Sequence, residues 1–306
     1  MRWLLPYRPT PRQLEYLVAL IEARHFGEAA KLCNVSQPTL SVQVALLEEQ
    51  LGTILIDRAS SPLAPTAIGA EVAAAAKAVL SGIDELVTLA RTGHENLGGS
   101  VRLGMASTFG PYFMPAFLPR LHARYAGLKI YLFEDRPAAL ENKIRLGEID
   151  CALGPIPEDR DKFGFQTVCR EEILVGIPRN HRLGGADEIE LGDLAGEVLL
   201  TLGKGHRLMN DVHNLAHAAG AYFSDNYEGT SLDAIRQMVS IEMGLSLFPE
   251  YYIRSEFAKE RNVSLARISG RPMHRDIGFY WRLASPRAGH YQVLAEIAES
   301  IAKAAP

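Results

Sequence analysis

Two groups of side chains in this 306-residue chain have the types and spacing to do chemistry. The first is crowded into one stretch, where Gln37, Thr39, Ser41 and Gln43 follow closely on Ser36. Their amides and hydroxyls donate and accept hydrogen bonds in the way that reads base edges in a DNA groove. Arg58, a charge, and Thr66, a hydroxyl at a helix start, are suited to phosphates. The second group is scattered: Ser107-Thr108, His206-Arg207 and Thr230-Ser231 each precede a helical run, the first two after an apolar strand. Hydroxyls, an imidazole, a guanidinium and the free N–H groups of helix starts together suit a small anion or carboxylate.

Other chemistry finds no support. Gly203-Lys204-Gly205 does not belong to a G-x-x-x-x-G-K-[ST] loop, and neither H-E-x-x-H nor G-x-S-x-G occurs. His213 and His217 share a helix face without a third ligand, so no metal site is expected. Cys33, Cys151 and Cys169 show neither C-x-x-C nor Cys/His spacing, which predicts buried thiols and neither a disulfide scaffold nor a zinc site. No catalytic residue and no cofactor are expected, and nothing positive points to an enzyme.

The first group needs a helix to present it. Ser36 is a good N-cap, Pro38 falls in the first turn, and Gly52 is a natural stop, so one helix of about four turns is predicted, with Leu40, Val44, Leu47 and Leu51 facing inward. Upstream, 26–35 gives a short helix packed through Ala29 and Ala30 and ended by a tight turn at Asn34. A helix, a turn and a second helix with a polar outward end is the helix-turn-helix arrangement, whose second helix enters the major groove. Residues 11–24 place Leu14, Leu17, Val18 and Ile21 on one stripe behind it. Two short extended segments, 54–58 and 63–65, flank a turn and read as a wing.

From Thr66 a long helix runs to about Arg91. Val72, Ala76, Val79, Ile83 and Leu86 recur at steps of four and three, a heptad seam that needs a partner. Homodimerisation along it would supply the second half-site reader. Gly93 to Ser100 reads as a hinge. Beyond it strands and helices alternate, predicting a parallel sheet with helices on both faces. The fold class expected is a multidomain α+β chain: a winged helix-turn-helix over 1–66, a dimerising helix and hinge over 67–98, and a two-lobed α/β domain over 99–306. Lobe I takes about 99–169 and 276–306 and lobe II about 170–275, with crossings near Cys169 to Glu172 and Arg275. Two such lobes resemble periplasmic binding proteins.

The formal net charge is −4. Within 1–66, Arg2, Arg8, Arg12, Arg24, Lys31 and Arg58 are matched one for one by Glu15, Glu22, Glu28, Glu48, Glu49 and Asp57, and the second helix holds no Lys or Arg. Base readout therefore falls to uncharged groups and phosphate affinity to Arg58, Thr66 and the N-terminal arginines. Trp3-Leu4-Leu5 is broken by Pro6 and Arg8, too early for a secretory core. No stretch of about 18 apolar residues occurs, so a soluble, cytoplasmic protein without a membrane partner is expected.

Ala29-Ala30, 35–41, 47–52, Asp57-Arg58 and 63–69, taken as an ordered set, resemble the N-terminal signature of LysR-type transcriptional regulators. The resemblance implies a DNA-binding regulator that works as a homodimer or homotetramer on double-stranded DNA, with a small-molecule effector in the cleft between its lobes. It sets an arginine where this chain has Val42. Within the family, 14–20, 110–112, 193–197, Gly205-His206 and 219–221 look like the OxyR-like, peroxide-sensing subgroup, which acts through a reactive cysteine directly after the Gly-His pair and a second one downstream. Here Arg207 and Ala216 hold those positions, so that disulfide switch has no sulfurs. The effector-binding residues expected are Ser107, Thr108, His206, Arg207, Thr230 and Ser231, and the input expected is a bound small anion. The alternatives are a thiol-redox response through Cys169 or Cys151, with Cys169 the more accessible, and a small-molecule binding protein without a DNA function.

Overall fold

The computed structural model describes residues 8–92, 97–229 and 231–304, which fall into two compact units. Residues 93–96 of the expected hinge and the expected effector residue Thr230 lie outside them. The first unit contains α1 (Pro11–Ala23), α2 (Phe26–Leu32), α3 (Gln37–Leu51), β1 (Ile56–Asp57), β2 (Ala64–Pro65) and α4 (Ala67–Thr92). Side chains fix each helix start, because orphan N–H groups there need acceptors. Thr10 and Gln13 form a capping box on α1, His25 accepts from Gly27 and Glu28 on α2, Ser36 accepts from Thr39 on α3, and Thr66 accepts from Gly69 on α4. Gly52 ends α3 at φ 66°, and Asn34 makes the tight turn at φ 53°.

Tyr16, Leu17, Leu20, Ala29, Ala30, Leu40, Val44 and Leu47 close one core, with Leu55 and Ile56 beneath the wing. Leu51 departs from its expected inward place and is 39% exposed in the last turn of α3. The wing is a minimal antiparallel ladder, Ile56 opposite Pro65 and Asp57 opposite Ala64. The expected seam on α4 divides. Val72 packs on the helix-turn-helix core and Ala76 is buried, whereas Val79, Ile83 and Leu86 stay exposed. Those three of the five have the most surface to offer a second copy.

The second unit begins with β3 (Ser100–Ala106), α5 (Gly110–Arg124), β4 (Lys129–Asp135), α6 (Pro137–Arg145), β5 (Cys151–Pro155) and β6 (Phe163–Pro178). It continues with β7 (Glu188–Ile189), β8 (Val198–Leu202), α7 (Arg207–Ala219), β9 (Tyr222–Gly229) and α8 (Leu232–Ser240). It ends with β10 (Ser246–Pro249), α9 (Glu250–Glu256), β11 (Val263–Ile268), β12 (Met273–Arg282) and α10 (Ala288–Ala304). The main sheet has the order β4-β3-β5-β12-β6-β11-β7, with β10 also on β6, and β8 pairs with β9 apart from it.

β3 lies parallel to β4 and β5, as βαβ units require, but β12 is antiparallel to both β5 and β6. The expected purely parallel sheet is therefore mixed. β6 and β12 are long strands that pair from Phe163 opposite Arg282 to Ile173 opposite Met273, with a register shift at Ile277/Gly278. The chain leaves lobe I along one and returns along the other, so the two crossings form a single antiparallel ribbon. Separate cores lie on either side. Val101, Leu103, Phe113, Phe117, Phe279 and Trp281 fill lobe I, and Val175, Ile177, Leu200, Val212, Ile235 and Phe248 fill lobe II.

Candidate DNA-reading face and effector cleft

On α3 the buried residues Leu40, Val44 and Leu47 recur at helical spacing, so at about 100° per residue Pro38, Val42 and Ala45 point the opposite way, and all three are exposed. Gln37 and Thr39 are also exposed, and Ser41 and Gln43 are half-buried on the flanks. Ser36 is committed to its cap, its hydroxyl 2.7 Å from Thr39 Oγ1 while it accepts from the Thr39 N–H. Arg58 Nη2 donates to Glu48 Oε2 at 2.9 Å, and Glu48 Oε1 accepts from the Leu55 and Ile56 N–H groups of the wing. One carboxylate thus ties the wing to α3 and aims an arginine whose side chain remains 48% exposed. The Thr66 hydroxyl is used within the fold, donating to Ile54 O at 2.8 Å and accepting from Gly69 N–H at 3.0 Å. Arg12, one of the N-terminal arginines expected to face phosphates, is an exposed cation that donates to Glu15 and to Cys33 O.

In the second unit a cavity of about 470 Å³ opens where strand ends meet helix starts, lined by Ser107, Glu134, Asp135, Arg136, Lys204 and His206 with Gly203 and Gly229. Arg136 follows β4, and its Nη1 donates to Lys204 O at 2.8 Å. His206 sits at the N-cap of α7 and is 7% exposed, and its Nδ1 has no hydrogen-bond partner. Burial, then the nearby Arg136 charge, holds its pKa below the usual imidazole range, so the ring is neutral at pH 7. A buried bare nitrogen beside cationic side chains is a polar group awaiting a partner.

The remaining expected effector residues are placed elsewhere. Arg207 Nη2 pairs with Glu141 Oε1 of α6 at 2.9 Å and Nη1 donates to Ile156 O, so its donors are turned from this cavity toward lobe I. Thr108 is 4% exposed and accepts from Arg275, at 2.8 Å on Oγ1 and 2.9 Å on the carbonyl. Ser231 is exposed and caps α8 through the Ala234 N–H. The cavity therefore keeps Ser107 and His206 and takes its cations from Arg136 and Lys204. Both follow the rule that ligands collect beyond strand carboxyl ends, and reading every residue after β4 and β8 would have found them.

Beside the ribbon, Glu171 is wholly buried and accepts from Arg275 Nε at 2.7 Å and Tyr251 N–H at 2.9 Å. Arg275 thereby joins β6 and β12 to the loop before α5. The Tyr251 ring lies against Phe109 and Phe113, and Tyr252 against Tyr112, so α9 is stacked on the start of α5. Cys169 keeps partial exposure, as expected, but burial, and then the Glu171 charge, push its thiol up to about 12. Cys151 is fully buried, and burial raises the Cys33 thiol as well. None of the three has the surroundings that make a thiolate.

Among the described residues no helix is long and apolar enough to cross a membrane, and no group of three or more His, Cys, Asp or Glu could hold a metal ion. Residues 11–70 match the bacterial regulatory helix-turn-helix protein, lysR family, and residues 94–302 match the LysR substrate binding domain. The chain is 35% identical over 285 residues to the DNA-binding transcriptional dual regulator OxyR of Escherichia coli K12, covering 93% of each chain. It is 32% identical over 290 residues to a probable hydrogen peroxide-inducible genes activator of Mycobacterium avium, covering 94% of this chain and 93% of that one. Among solved structures it is similar to a full-length cysteine-to-aspartate variant of OxyR from Pseudomonas aeruginosa, with a TM-score of 0.77, 29% identity and 95% of each chain covered. It is also similar to a peroxide-bound cysteine-to-serine variant of OxyR from Corynebacterium glutamicum, with a TM-score of 0.66, 28% identity and coverage of 98% and 94%.

Proposed function

We propose that this chain, which belongs to the LysR family of DNA-binding transcriptional regulators with an effector-binding domain, has its DNA binding biased by a small anion held beside His206. On this reading the chain works in the cytoplasm as a homodimer or homotetramer on double-stranded DNA. Gln37, Thr39, Ser41 and Gln43 read bases from an α3 capped by Ser36, while Arg58 and the helix start at Thr66 face phosphates. Val79, Ile83 and Leu86 form the contact with a second copy. The divisions 1–66, 67–98 and 99–306 are then a reader, a coupler and a sensor.

The observation that carries the effector half is the unpartnered Nδ1 of His206 on a wall shared with Arg136 and Lys204. A neutral imidazole donating one N–H, with two cations beside it, holds an anion without a metal or a covalent step. Several relatives are named for induction by hydrogen peroxide. Against a thiol mechanism here stand three thiols without thiolate character and an arginine after the Gly-His pair, already engaged by Glu141. The test is the thermal midpoint of the full chain titrated with sulfate against chloride at matched ionic strength, for the parent and for Lys204→Met. A rise with sulfate in the parent, lost in the variant, is expected. Equal responses would remove the anion site, and DNA binding that is abolished by peroxide in the parent but not in a variant lacking all three cysteines would restore the thiol reading.

A further inference from the structure

We propose that Val42 reads the 5-methyl group of thymine in the major groove, which makes it the specificity-determining residue at the centre of the recognition helix. The inference rests on α3 being the DNA reader. Val42 lies nearly opposite the Leu40, Val44 and Leu47 line that anchors α3, and it is 57% exposed. It is therefore squarely presented in the N-terminal half of that helix, the other residue as close to the outward direction being Glu49, two turns on. Its neighbours on the outward row, Pro38 and Ala45, are also apolar and exposed, and hydroxyls flank the row, Thr39 on one side and Ser41 on the other.

Such a face has a definite reading ability. Guanine is commonly recognised by an arginine or lysine reaching O6 and N7, and α3 carries neither. Thymine alone offers a methyl group in the major groove, and an apolar side chain is what reads it. Arg58, the nearest cation of the wing, is tied to Glu48 and is not available to the centre of the helix. The flanking hydroxyls and the Gln37 amide add hydrogen bonds that suit A·T as well as G·C edges, so the discrimination at the centre falls to the Val42 isopropyl group. A methyl contact of this kind removes about one methyl group from water, worth roughly fourfold in affinity.

The probe is a duplex enriched by the full chain from a randomised pool. Each thymine in it is replaced in turn by deoxyuridine, which keeps every hydrogen bond and deletes only the methyl. At one or more positions per half-site the parent should lose about fourfold in affinity. The Val42→Ala variant should bind the unsubstituted duplex less well and show no loss at those positions, whereas Val42→Thr, which keeps a methyl branch, should retain most of the loss. Position 42 is exposed, so both variants are expected to fold with unchanged circular dichroism. A scan without any sensitive thymine, or a loss that persists undiminished in Val42→Ala, overturns the assignment while leaving DNA binding intact. If no duplex is enriched at all, the DNA-reading role of α3 falls, and this assignment with it.

Discussion

Replacing Arg275 by Ala is the most severe single change this structure predicts outside the hydrophobic cores. Its side chain is 8% exposed and makes three hydrogen bonds, one to the wholly buried Glu171 and two to Thr108. Removing it leaves the Glu171 carboxylate in the interior with only the Tyr251 N–H at 2.9 Å. Stranding one partner of a buried ion pair costs about 3–5 kcal/mol, and with a urea slope of about 2–3 kcal/mol/M the midpoint should fall by roughly 1–2 M. Trp281, buried in the lobe I core on the same strand, reports the transition in a Trp3→Phe background. The pH dependence gives a second check. Burial already raises the Glu171 carboxyl above the usual range, and without Arg275 the folded state should bind a proton more tightly than the unfolded chain. Stability then rises as pH falls through the folded pKa, so the deficit of the variant against the parent should narrow from pH 8 to pH 5. The double variant Arg275→Met with Glu171→Leu should recover much of the loss. A deficit below about 1 kcal/mol, or one equal at both pH values, would show that the pair is not an electrostatic keystone.

Three further outcomes follow from the same geometry. Ile83→Lys puts a charge into the exposed Val79, Ile83 and Leu86 stripe and should reduce the mass in solution to that of one chain and weaken DNA binding; an unchanged mass by light scattering would remove α4 from the interface. Arg58→Ala should lower specific and non-specific DNA affinity together and reduce the salt slope by about one, and a slope that does not move would mean the arginine serves only Glu48. His206 resists protonation in the folded state, so the unfolded chain takes up the proton first and stability should decline as pH drops below about 6.5; melting curves of His206→Gln should lack that part of the decline.

The helix-turn-helix was legible because its signals are local. The cap at Ser36, the helix start at Thr66, the stop at Gly52 and the turn at Asn34 are each decided by residues within a few positions, and all four act as such in the structure. The second unit was legible where strands and helices alternate over short apolar runs, most plainly at β5, whose five residues are all buried. The first half of β6 mixes buried Phe163 and Val168 with partly exposed Gly164 to Gln166, and β9 exposes Tyr222 and Phe223, so neither shows a clean period of two. The antiparallel return of β12 depends on which strands pair across more than a hundred residues, and periodicity carries no information about that.

The effector site divides along the same line. That strand ends and helix starts would converge was readable, since it follows from α/β topology, and it located Ser107 and His206. Which cation faces the cavity was not, because a guanidinium goes to the strongest acceptor within reach of its long side chain, and those acceptors come from distant segments. Arg207 finds Glu141, sixty-six positions earlier, and Arg275 finds Thr108 and Glu171, more than a hundred positions earlier. With both drawn away, the charges left at the cavity are Arg136 and Lys204, set against Glu134 and Asp135. An arginine in the place the peroxide-sensing subgroup gives to its reactive cysteine therefore does more than remove a sulfur. It fastens the start of α7 to α6 and Ile156, so the two lobes are joined there by an ion pair and the guanidinium is turned from the cavity beside His206.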